Sequence, residues 1–138
     1  MKRADIIAAA RAWLEVPFTH QGRSRLGVDC IGLVINVGWQ LGFLPRSYDV
    51  QGYDRMPDGS LFGECDRLLE RIPGPVFGCI VAMRFASDPQ HIGFIGEHHG
   101  HPTLIHSLST ARKVTEHRLL NPWPGYIVGC FDAPGVTD

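Results

Sequence analysis

The stretch Gly27-Val28-Asp29-Cys30-Ile31-Gly32-Leu33-Val34-Ile35-Asn36-Val37-Gly38-Trp39-Gln40-Leu41-Gly42 decides how the rest of the chain is read. From Cys30 to Leu41 it is apolar on nearly every side, and a run of that length suits a buried helix better than a strand. Asp29 is a natural N-cap and Gly42 a natural C-terminal stop. Cys30 then falls in the first turn. Unpaired N–H groups and the helix dipole stabilise an anion there, so the position predicts a lowered thiol pKa and a nucleophilic cysteine. The competing reading is a small buried hydrophobe at a helix start.

On the N-terminal side, Ile6, Ile7, Ala10, Trp13 and Leu14 recur at helical spacing and predict an amphipathic helix over residues 3–15, ended by Pro17. Residues 18–28 form a polar, glycine-containing loop. On the C-terminal side, Pro45, Gly52, Pro57 and Gly59 predict a long surface loop over 43–59. Residues 60–72 read as a shorter helix, broken by Pro73-Gly74-Pro75. The second half changes character. Segments rich in β-branched and aromatic residues predict strands near 79–85, 91–97, 103–108, 112–118 and 126–131. Helices followed by a run of antiparallel strands indicate an α+β fold.

The chain has 138 residues, the size of one domain, so residues 1–138 are expected to form a single unit. The 16 Gly and 10 Pro make loops plentiful and an all-helical bundle improbable on composition. Thirteen basic and fourteen acidic residues leave a formal charge of -1, which argues against duplex nucleic acid or an anionic membrane as the main partner. No stretch approaches the ~18 apolar residues of a membrane span. Asp5 and Arg11 bracket an apolar run too short for a signal peptide, so synthesis in the cytoplasm without an export signal is expected. Cys30, Cys65, Cys79 and Cys130 contain no CxxC pair, and they are read as reduced thiols.

His91 and His106 lie in two of the predicted strands, joined by Glu97-His98-His99-Gly100-His101-Pro102. A tight hairpin centred between His98 and His99 would set His91 directly opposite His106. Such a pair suits a general base and the group that orients it, whereas two unrelated strand histidines are the plain alternative. The three histidines at the hairpin tip read as a polar turn more readily than as a metal site.

Three motifs now stand in order. Asp29-Cys30-Ile31-Gly32-Leu33, preceded by Val16-Pro17-Phe18-Thr19-His20-Gln21-Gly22, resembles the cysteine motif of the NlpC family of cell-wall peptidases, an Asp-Cys-(small)-Gly-(apolar) run opening a buried helix. His91-Ile92-Gly93-Phe94-Ile95-Gly96 is similar to the family's histidine motif, and Leu104-Ile105-His106-Ser107 to the context of its third polar residue. The resemblance covers nearly the whole chain.

It implies a papain-like fold with the nucleophile on a buried helix, packed on a sheet of about five strands. It implies a cysteine endopeptidase with Cys30, His91 and His106 as the catalytic set, and Phe18, His20 and Asp29 near the substrate. The implied substrate is a peptidoglycan stem peptide, typically cut at the D-γ-glutamyl to diaminopimelate bond, with no metal or other cofactor. The Pro-Phe-Thr-His-Gln-Gly stretch resembles the branch found in phage tails and gene transfer agents. That implies other tail-tip or baseplate proteins as partners and action on the periplasmic wall. The family usually has Tyr where this chain has Phe18, which leaves a structural or wall-binding tail-tip module as the alternative. An amidase or acyltransferase on the same fold is the other. Arg23 and Arg25 are read as a solvated loop face or as partners of substrate carboxylates, Trp123 as a packed corner, Cys79 as core, and His117 as having no role.

Overall fold

The computed structural model describes residues 1–53, 60–85 and 91–138. Along the chain run α1 (Arg3–Arg11), β1 (Arg23–Ser24), β2 (Gly27–Val28), α2 (Cys30–Leu41), α3 (Ser60–Leu68), β3 (Glu70–Ile72), β4 (Ile80–Met83), β5 (His91–His98), β6 (His101–Leu108), β7 (Lys113–Arg118), α4 (Trp123–Tyr126) and β8 (Ile127–Asp132). Among the described residues, one antiparallel six-stranded sheet has the order β3-β8-β4-β5-β6-β7, and β1 pairs with β2 in a separate ribbon. This is the expected α+β class, with six strands in place of about five.

The opening stretch folds as read. Asp29 caps α2 by accepting from the Gly32 N–H at 2.8 Å, and the Gly42 N–H closes the helix on the Gly38 carbonyl at 2.9 Å. Leu33, Val34 and Val37 of α2 and Ile6 and Ala10 of α1 join Ile80, Ala82, Ile92, Phe94, Ile105 and Phe131 in the main core. The alternate strand residues Val81, Met83, Ile95, Leu104 and Cys130 form a second cluster, covered by Leu119, Trp123 and Tyr126. Because side chains alternate along a strand, a sheet buried on both faces explains the unbroken apolar run of β4. All four cysteines are buried thiols.

Three elements differ from expectation. The first helix ends at Arg11 and not at residue 15. The Trp13 and Leu14 N–H groups bond to carbonyls only three residues back, and Glu15 takes a φ of 74°, which turns the chain away before Pro17. The 60–72 helix stops at Leu68, and Glu70, Arg71 and Ile72 pair instead with Asp132, Phe131 and Cys130. The open edge of β8 supplies backbone partners that a helix end lacks. Of the predicted 43–59 surface loop, residues 54–59 lie outside the described residues. Residues 43–53 lack regular structure but are not all at the surface: Phe43 and Leu44 are buried, and the Trp39 indole donates to the Tyr48 carbonyl at 2.9 Å.

The hairpin carrying the histidines is also displaced. Its turn is His99-Gly100, with φ of 51° and 79°, and His98 pairs with His101. The register is two residues away from the expected one. A two-residue slip keeps every side chain on its face, so His91 and His106 still share a face, but as diagonal neighbours.

Candidate active site

Cys30 opens α2 against β5 and is 8% exposed. Its thiol lies beside the backbone N–H of Ile92, the residue after His91, and near its own N–H and that of Ile31. These donors favour a thiolate. Burial and the charge of Asp29 outweigh them and push the thiol up to about 12. The expected lowering of the thiol pKa is therefore corrected. The dipole that would stabilise the anion is opposed by the carboxylate that caps the same helix.

His91 and His106 are 5% and 0% exposed. His91 Nε2 lies 2.5 Å from His106 Nδ1, with the ring centroids 4.8 Å apart. The slipped register accounts for this contact, since diagonal partners on one face are within reach of aromatic side chains. Burial lowers the pKa of both imidazoles, that of His91 to about 3, and the neighbouring imidazoles push His106 further down. The pair is therefore neutral at ordinary pH. Phe85 packs on His91 at 5.1 Å between centroids, and Trp123 on His106 at 5.0 Å. Trp123 is thus a packed residue, as expected, but it packs on His106 and His117 as well as on Phe85 and Tyr126.

Around Asp29 the chain closes on itself. Asp29 Oδ1 accepts from Gly32 and from Arg23 Nη1 at 3.2 Å, and Oδ2 accepts from the Gln21 N–H at 2.8 Å and from the Tyr53 hydroxyl. Asp29 was expected to meet substrate, but it is 3% exposed and both its oxygens already hold the protein's own loops. Arg23 also donates to Asp49 at 2.9 Å, to the Val50 carbonyl at 2.7 Å and to the Tyr53 hydroxyl at 3.0 Å. It is neither solvated nor free for substrate carboxylates. Arg25 lies over the Trp13 ring at 3.8 Å.

His20 sits edge-on to Tyr53, with its Nε2 3.1 Å from the Tyr53 carbonyl oxygen. Phe18 is clipped by its backbone to Val28, two residues from Cys30. Tyr53 is the residue that sequence reasoning missed here. It brings a phenol to Asp29 from a loop with no local signal, while position 18 carries none. His117 is the other. The structure places its Nε2 2.9 Å from His106 Nε2.

Ile31, where the motif has a small residue, turns its side chain into an apolar cavity of about 370 Å³ between α2, α3 and the 44–53 segment. Ile92 lines the same cavity, so it adjoins both Cys30 and His91 along the chain. Among the described residues no cluster of three or more metal-ligating side chains occurs, the hairpin-tip histidines included. No described helix is long and apolar enough to cross a membrane.

No protein-family model matches the chain, and no curated protein does. Solved structures do. The NlpC/p60 domain of the peptidoglycan hydrolase SagA superposes with a TM-score of 0.67 at 15% identity, over 96% of this chain and 99% of that one. An NlpC/p60 family protein from Bacillus cereus ATCC 10987 gives 0.69 at 16% identity, over 96% of this chain but 40% of that one. An N-acetylmuramoyl-L-alanine amidase from Bacteroides uniformis ATCC 8492 gives 0.55 at 14% identity, over 94% and 96%. The chain thus spans nearly the whole of the first and third and about two fifths of the second. At these identities what is shared is architecture: the buried helix that Cys30 opens, packed on an antiparallel sheet, is the fold of the NlpC/p60 domain.

Proposed function

We propose that the protein is a cysteine endopeptidase acting on peptidoglycan stem peptides. The observation that carries this reading is the buried, hydrogen-bonded His91–His106 pair, whose His91 opens the strand against which the Cys30 thiol lies. Cys30 Sγ attacks the peptide carbonyl carbon. The thiol proton passes to His91 Nδ1 as the S–C bond forms, and from there to the leaving amine as the C–N bond breaks. Water then attacks the thioester, His91 takes its proton, and the acid product leaves as the thiol is restored. The oxyanion formed in each attack faces the first-turn N–H of Cys30. Burial raises the thiol and lowers the imidazole, which favours transfer coupled to attack. His106 orients His91.

The fold shared with a peptidoglycan hydrolase domain supports the substrate class, and the motif resemblance supports the D-γ-glutamyl to diaminopimelate bond. The likeness to an amidase favours a second reading, cleavage of the amide between glycan and peptide. Mass spectrometry of purified peptidoglycan digested with the wild type and with Cys30→Ala decides both questions. Shortened stem peptides are expected from the wild type and none from the variant. Intact stem peptides released from glycan would select the amidase, and equal release by both proteins would remove Cys30 from the mechanism. The likeness of the Pro17-Phe18-Thr19-His20-Gln21-Gly22 stretch to the tail-associated branch supports a setting in a phage-like tail tip, among tail or baseplate proteins and without nucleic acid or membrane as partner. Proteomics of purified particles from the source tests that setting.

A further inference from the structure

His106 does not end the chain of imidazoles. His106 Nε2 lies 2.9 Å from His117 Nε2, and His117 Nδ1 lies 2.9 Å from the carbonyl oxygen of Arg118. A carbonyl only accepts, so His117 Nδ1 carries a proton. In the neutral ring His117 Nε2 is then bare and accepts from His106 Nε2–H. His106 Nδ1 is in turn bare and accepts from His91 Nε2–H. The nitrogen left without a proton is His91 Nδ1. One backbone carbonyl on β7 thereby determines the tautomer of three rings in sequence. Trp123 closes the chain from the side, its ring centroid 5.0 Å from His106 and 5.1 Å from His117. His106 is fully buried, so its N–H has to be met by protein.

We propose that His117 is a positioning residue that locks the tautomers of His106 and His91, leaving His91 Nδ1 bare to take the thiol proton. This rests on the reading of Cys30 and His91 as nucleophile and base. Without an acceptor at position 117, His106 is satisfied by moving its proton to Nδ1 and donating to His91 Nε2. His91 must then carry its own proton on Nδ1, and it can no longer receive one from Cys30. In a serine-protease triad a wrong tautomer costs about 10⁴ in rate.

Two variants separate this role from a packing role. His117→Phe keeps the ring but removes the acceptor, whereas His117→Gln offers an amide oxygen to His106 Nε2–H. ¹⁵N NMR of the imidazoles in the resting protein reads the tautomers without any substrate. The wild type and His117→Gln are expected to show His91 and His106 protonated at Nε2, and His117→Phe to show protons moved to Nδ1. Alkylation of Cys30 by iodoacetamide, followed by peptide mass spectrometry, is expected to slow at least tenfold in His117→Phe and to recover in His117→Gln. A proton on His91 Nδ1 in the wild type, or unchanged tautomers in a folded His117→Phe, would overturn the proposal. Wild-type tautomers as stated, in a protein that releases no wall fragments, would leave this lock in place and overturn the proposed function instead.

Discussion

A Cβ at position 93 would stand 3.0 Å from the Cβ of His106 and 2.9 Å from the Ile105 carbonyl oxygen. Glycine there is a matter of space, and it lets β6 bring His106 close enough for the diagonal contact with His91. Gly93→Ala is expected to cost about 1–3 kcal/mol through overpacking and to cut wall-fragment release by at least tenfold through displacement of His106. Thermal melts alongside digestion assays check this, and unchanged values in both would contradict it. Tyr53 makes a second residue-level case. Its hydroxyl donates to the buried Asp29 and accepts from Arg23, and burial with that bond raises its pKa. Tyr53→Phe leaves a buried carboxylate short of a donor and should cost about 1.5–3 kcal/mol, read by urea denaturation. Cys30, His91 and His106 were singled out in the sequence by the cap before α2, the histidine hairpin and the motif resemblance, and the structure brings the two histidines into contact. Tyr53 and His117 were not, since each acts through a partner brought close only by packing.

Elements were legible where their signals were local. Asp29 and Gly42 bound α2 as read, because a cap needs only neighbouring residues. β3 was read as helix because Glu70-Arg71-Ile72 carries no strand signal of its own, and its pairing depends on the free edge of β8. The hairpin register was missed for a related reason. Its turn is set by backbone angles, with His99 at φ 51° and Gly100 at 79°, and not by the midpoint of the histidine cluster. Positive φ at both central residues is the type I′ arrangement, for which Asn-Gly is preferred. His99→Asn is therefore expected to stabilise the protein by about 0.5 kcal/mol and to leave catalysis unaltered, since His99 is exposed at the far end of the hairpin. A lowered melting temperature would count against the turn assignment.

At the scale of the whole molecule, the buried site ties stability to pH at both ends. The unfolded chain takes up protons on histidine near pH 6.5, while folded His91 resists until about 3 and His106 is lowered in the same direction. Between those values the unfolded state binds more protons, so stability falls as pH drops below about 6.5. At the other end an unfolded thiol ionises near 9.0, while burial holds Cys30, Cys65 and Cys79 protonated to about 12. Stability therefore falls again as pH rises through that range. Melting temperatures across pH should show a plateau between about 6.5 and 9, with the acid shoulder reduced in His106→Gln. A melting temperature that kept rising below pH 6 would contradict the burial of the pair.

The sequence by itself determined the α+β class, the buried helix with its caps and the motif residues, because these follow from side-chain periodicity and from neighbours a few positions away. Only the tertiary structure decided the charge state of the thiol, the diagonal meeting of His91 and His106, and the tethering of Asp29 by Tyr53 and Arg23. It also decided the extension of the imidazole chain to His117. Each of these depends on burial, or on contacts between residues that the chain places far apart and the sheet brings together.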